Sequence, residues 1–110
     1  MSEINAVYAL SGRINSLSRF KALACCKPMS SGNYEAPTCE VVSDLIRVSG
    51  WTEFAVCQIT GVRYDNKKGS STVRRWHSGS GPSNISYANW RLLVEAAGVS
   101  DTSDTLEFLT

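Results

Sequence analysis

Apolar residues recur at helical spacing in several separate windows of this chain, and polar or glycine-rich stretches divide one window from the next. In residues 7–24 the positions Val7, Leu10, Ile14, Leu17, Phe20 and Leu23 fall three or four apart, which predicts a helix interrupted at Gly12. Cys25, Cys26, Lys27 and Pro28 end it, and residues 29–37 (MSSGNYEAP) read as a turn-rich connection. Thr38 then stands as an N-cap, with Glu40 in the first turn and Gly50 as the stop. Between them Val41, Val42, Leu45, Ile46 and Ser49 mark one inward stripe. A second cap, Thr52, predicts a helix over 53–60 that Gly61 ends, and residues 63–69 are loop by composition. Ser70 or Ser71 caps a third helix, Thr72–Ser78, which the run Gly79-Ser80-Gly81-Pro82-Ser83-Asn84 terminates. A fourth, roughly Ser86–Ala97, sets Tyr87, Trp90, Leu93, Val94 and Ala97 on one face, with Gly98 just beyond. After Ser100 the tail is polar, with Leu106, Phe108 and Leu109 available to pack back or to pair as a strand.

The predicted fold is therefore all-α: a small bundle of about four to five helices, each too short to be stable alone and dependent on packing. At 110 residues and 43% hydrophobic, the chain supports one compact domain. By texture, residues 1–31 mix apolar and polar positions, cleaner helical signals begin at Thr38, and the tail from Ser100 is polar. No apolar run approaches the roughly 18–20 residues of a membrane span. Glu3 sits where a secretory leader carries basic residues, so a cytoplasmic protein is expected.

Candidate chemistry is sparse. Cys25, Cys26, Cys39 and Cys57 form no C-x-x-C pair, and the single histidine, His77, lies well beyond Cys57. Structural zinc sites draw ligands as close pairs from tight turns, so these read as reduced, buried cysteines, and neither metal nor cofactor is expected. His77 has no evident carboxylate partner, no acids pair at catalytic spacing, and Gly79-Ser80-Gly81 lacks the lysine of a phosphate-binding loop. No enzymatic activity is expected.

The order of residues from Thr52 to Val99 is more informative. Where two helices cross closely a small residue is needed, here Cys57; the turn needs glycine, here Gly61; Val62 follows as a core plug. Val73 and Trp76, three apart, then form an inner pair, leaving Ser70, Ser71, Arg74, Arg75 and His77 for the outer face. The stretch Gly61-Val62…Ser71-Thr72-Val73-Arg74-Arg75-Trp76-His77-Ser78-Gly79 resembles phage and plasmid regulators of the Cro/C1 (XRE-like) helix-turn-helix class. Tyr34-x-Ala36-Pro37-Thr38 and Ser49-Gly50-Trp51-Thr52 extend the similarity upstream, and Ile85-x-Tyr87-Ala88-x-Trp90-x-Leu92-Leu93 and Ala96-Ala97-Gly98-Val99 extend it downstream. The resemblance thus implies a helix-turn-helix domain over 34–99, with an N-terminal helical extension (1–33) and a C-terminal tail (100–110) outside it. One departure stands inside the match: the family turn is about three residues long, whereas here Arg63–Lys68 are additional, so the helix-turn-helix has an enlarged turn.

That resemblance implies an intracellular transcriptional repressor of a phage or mobile element, acting as a homodimer on double-stranded DNA in a bacterial host. Helix 72–78 would enter the major groove, Arg74 or Arg75 would pair with guanine, and Lys67, Lys68, Ser70 and Ser71 would hold phosphates, with Thr72 and His77 on the same face. A second reading keeps the scaffold but directs it at a protein, as a phage anti-CRISPR inhibitor of a host CRISPR-Cas complex; small phage inhibitors are similar to this chain in size.

Net charge bears on both readings. The whole chain is only +1, which discourages a generic nucleic-acid binder. Counted by segment, however, Arg63, Lys67, Lys68, Arg74, Arg75 and Arg91 face one acid, Asp65, so residues 63–91 carry +5 and the remainder −4. The near-neutral total conceals a dipolar molecule whose positive part coincides with the expected recognition helix. An acidic protein would suit it equally.

Overall fold

The computed structural model describes residues 17–20 and 23–99. Their helices are α1 (Leu17–Phe20), α2 (Cys39–Ser49), α3 (Glu53–Thr60), α4 (Ser71–His77) and α5 (Tyr87–Ala96), with single 3-10 turns at Ala24–Cys26 and Met29–Ser31. Among the described residues there is no β-strand, and the fold is all-α as the periodicity predicts.

The helix starts follow one chemical rule. Thr38, Thr52, Ser70 and Ser86 each offer a hydroxyl oxygen to the N–H three residues on, at Val41 (3.3 Å), Ala55 (3.1 Å), Val73 (3.1 Å) and Asn89 (3.2 Å). Ser70 rather than Ser71 caps α4, so that helix begins and ends one residue earlier than the spacing predicts. At the other end of α2, Gly50 takes φ 73° and donates to Arg47 O, while the Trp51 N–H reaches back to Ile46 O. Trp51, directly before the Thr52 cap, is half-buried against the core.

Packing joins the elements into one bundle. α2 packs on α4, α3 on both α4 and α5, and α1 on α2. Val41, Val42 and Leu45 of α2 meet Val73 and Trp76 of α4, Val56 and Cys57 of α3, and Trp90, Leu93 and Val94 of α5 in a single core. Trp76 and Trp90 are buried, as expected, and so are all four cysteines. The linker after α4 is sewn to the start of α2: Gly81 O accepts from the Cys39 N–H (2.9 Å), Pro37 O from the Ser83 N–H (3.1 Å), and Trp76 O from the Ser83 hydroxyl (2.6 Å).

The N-terminal part departs from its sequence pattern. Most of the helix expected over 7–24 falls outside the described residues, as do the tail residues 100–110. Within them the helix has ended before Leu23, which is extended (φ −77°, ψ 142°). The reason lies in α5. The buried Trp90 indole N–H needs an acceptor and finds Cys25 O at 2.7 Å, and the Arg91 guanidinium finds Cys26 O at 3.1 Å. A helix running through Cys25 and Cys26 would present those carbonyls along its own axis instead. Phe20, Leu23, Cys25 and Cys26 consequently belong to the common core, and this part of the extension is a wall of the domain.

Tyr34 closes that wall, edge-on to Tyr87 with ring centroids 5.0 Å apart. Burial first, and then the Cys25 thiol and Tyr87 phenol, push the Tyr34 phenol up to about 12, against a lowering by Arg91. Because the folded value lies above the unfolded value of 10.0, this group leaves stability unchanged below pH 10 and subtracts from it as pH rises from 10 toward about 12. A spectroscopic titration of phenolate absorption, compared with Tyr34→Phe, is expected to place the missing transition near 12; a transition at the ordinary tyrosine value would contradict the packing of this segment.

Candidate nucleic-acid interface

The enlarged turn between α3 and α4 is a closed structure. Asp65 and Gly69 exchange backbone hydrogen bonds (Asp65 N–H to Gly69 O 2.9 Å, Gly69 N–H to Asp65 O 2.7 Å). Inside that ring, Asp65 Oδ1 accepts the N–H of both Lys67 and Lys68 at 2.8 Å. Those two donors, Lys68 first, hold the Asp65 carboxyl below the usual carboxylate range. A side chain that bonds backbone two and three residues on is the standard way for aspartate to set a turn. The turn sets both lysines out as exposed residues, and the additional residues loop out while α3 and α4 remain in contact.

A second set of bonds ties the turn to both helices. Glu53, the first residue of α3, accepts from Arg74 Nη1 at 3.1 Å and from the Ser70 N–H. Arg74 Nη1 also donates to Lys68 O at 2.8 Å. The Arg74 side chain is 47% exposed and that of Glu53 26%. Beside this knot lies an open cleft of about 380 Å³, lined by Arg63, Lys68 and Arg74, the hydroxyl-bearing Ser71 and Thr72, and Asp65.

The residues expected on the DNA-facing surface are thus only partly brought together. Lys67, Lys68, Ser71, Arg74 and Arg75 are exposed, and Thr72 and His77 are half-buried. Lys68, Ser71, Thr72 and Arg74 line the cleft with Arg63, while Lys67, Arg75 and His77 lie outside it, His77 at the far end of α4. Ser70 also lines the cleft but is nearly buried, and its hydroxyl oxygen accepts the Val73 N–H as the cap of α4.

Burial also lowers the local charge. Arg91 is 6% exposed, bonded to Cys26 O and 3.7 Å from Glu95, and adds nothing to an external positive face. Five basic residues remain exposed around the turn and α4 (Arg63, Lys67, Lys68, Arg74 and Arg75), against Asp65 and the half-buried Glu53. The face stays positive, by three charges.

Sequence reasoning missed Glu53 and the burial of Arg91. Glu53 lies 17 residues from Ser70 and 21 from Arg74, too far for any local spacing rule to connect them. Nor does periodicity distinguish an arginine that caps buried carbonyls from one in water. On the neighbouring surface of α3, Phe54 is half exposed and stands edge-on to Tyr64, with centroids 5.1 Å apart. No protein-family model, curated protein or solved structure matches the chain. Among the described residues no helix is long and apolar enough to cross a membrane.

Proposed function

We propose that the chain binds double-stranded DNA through α4 and the enlarged turn, as a sequence-specific regulator of the phage or mobile-element repressor type. The observation that carries this reading is the placement of the additional residues. They fold into a closed turn held against α4, so Lys67, Lys68 and Arg63 add to the exposed cations of that helix rather than displacing it. Val73 and Trp76 turn inward and hold α4 to the core, leaving Arg75 exposed for a base edge and the lysines for phosphates.

The test is binding of the full chain to a random duplex pool, and to duplexes that the wild type itself selects from that pool, over a salt series. If Arg63, Lys67 and Lys68 each neutralise one phosphate, log K is expected to fall with log salt at a slope of about −3. An Arg74→Ala/Arg75→Ala variant is expected to lose the preference for selected duplexes, at about 1–3 kcal/mol per guanine contact. Absence of wild-type binding at low salt overturns the proposal.

The half-exposed Phe54, edge-on to a partly buried Tyr64 beside a positive face, favours the protein-directed alternative, an inhibitor of a host CRISPR-Cas complex. That reading expects a Phe54→Ser variant to lose the partner while any DNA binding is retained.

A further inference from the structure

The two arginines of α4 are adjacent in sequence but differ in what they hold. Arg74 Nη1 is shared between Glu53 Oε1 (3.1 Å) and Lys68 O (2.8 Å). Among the described residues Arg75 carries no such ion pair and is exposed. Reading guanine requires two N–H groups of one guanidinium aimed together at O6 and N7. For Arg74 that would mean releasing a carboxylate and a carbonyl, and the carboxylate left behind would repel the approaching phosphates. The same Glu53 carboxylate also takes the Ser70 N–H, so one group connects the start of α3, the start of α4 and the end of the turn.

We infer that Arg74 is a positioning residue: with Glu53 it clasps the Lys67-Lys68 turn to α4, and Arg75 is the arginine of α4 that discriminates bases. The assignment of Arg75 rests on the DNA-binding reading above; the clasp does not. Arg74 acts through Lys68, whose carbonyl it holds, and the closed ring from Asp65 to Gly69 carries that restraint to Lys67.

Two measurements on the full chain test it. In the first, without DNA, trypsin is added and cleavage after Lys67 and Lys68 is followed by mass spectrometry. Arg74→Ala and Glu53→Gln are each expected to be cut several-fold faster there than wild type, with unchanged helical circular dichroism, and Arg75→Ala at the wild-type rate. Wild-type cleavage rates in both clasp variants overturn the clasp. In the second, the same variants meet selected and random duplexes across a salt series. Loss of one phosphate contact lowers the salt slope by about 0.9, so release of both lysines is expected to lower it by about 1.8 in Arg74→Ala, equally on both duplex sets. Arg75→Ala is expected to abolish the preference for selected duplexes. Loss of preference in Arg74→Ala with retention in Arg75→Ala, or no sequence enriched by the wild type, overturns the assignment of Arg75. Wild-type failure to bind any duplex overturns the functional reading, and the protease result still decides the clasp.

Discussion

Replacing Trp90 with alanine is expected to cost about 3–5 kcal/mol of folding stability, the range for truncating a large buried aromatic. Trp90 is fully buried within the core, so the lost contacts leave a cavity that close-packed neighbours fill only in part. A second loss adds to the first. The indole N–H holds Cys25 O at 2.7 Å, and without it that buried carbonyl is an acceptor with its donor removed. Domains of this size have only about 5–15 kcal/mol of net stability, and each 1 kcal/mol moves the midpoint by about 4–8 °C. Thermal melts followed by circular dichroism should therefore show the Trp90→Ala chain largely unfolded or melting far below wild type. Trp90→Phe keeps a six-membered ring and removes the N–H with the pyrrole ring, so most of the cavity is refilled and the penalty is expected to shrink, with about 1–3 kcal/mol remaining for the unpaired carbonyl. A Trp90→Ala melt within a few degrees of wild type would mean that residues 23–26 are not part of this core.

A different kind of damage is expected from Gly69→Ala. Gly69 has φ +74°, where a side chain costs about 1–2 kcal/mol of backbone strain. Its added Cβ would also fall onto Glu53 Oε1 and come within 2.9 Å of Arg74 Nη1. Both obstacles are ends of flexible side chains, so the collision is relieved by driving the Glu53 carboxylate away. That undoes its bonds to Ser70 N–H and Arg74 while leaving the core untouched. Gly61→Ala is the control, because Gly61 has nearly the same φ (+78°) with nothing near its missing Cβ. Both substitutions should lower the melting midpoint by similar amounts through backbone strain. Only Gly69→Ala should also accelerate tryptic cleavage after Lys67 and Lys68. Equal protease sensitivity in the two variants would show that Glu53 does not restrain the turn.

The clasp marks the limit of what spacing reveals about the site. Lys67, Lys68, Arg74 and Arg75 were legible as a positive segment because charge is a property of composition. Their unequal roles were not, because the residue that separates them, Glu53, reaches the turn from the preceding helix. Ser70 shows the same limit at shorter range. Its hydroxyl suits a phosphate and an N-cap equally, and only the folded chain shows it nearly buried and accepting the Val73 N–H. Arg91 reads as one more cation of that segment for a similar reason, since its carbonyl partner, Cys26 O, lies 65 residues away.

By itself the sequence determined every element whose rule is local. Thr38, Thr52 and Ser86 start helices because a hydroxyl can reach an N–H three residues on, and Gly50 and Gly61 end them because only glycine enters the left-handed region cheaply. The inward stripes follow from the helical period and fold α2 to α5 around one core. Tertiary structure alone decided the rest: that the pattern over 7–24 gives way to an extended Leu23 so that Cys25 and Cys26 can serve Trp90 and Arg91, and that Arg74 faces Glu53 while Arg75 faces solvent. The physical reason is common to both. A buried or half-buried hydrogen-bonding group must find a partner wherever the packing supplies one, and packing brings together residues that no periodicity along the chain relates.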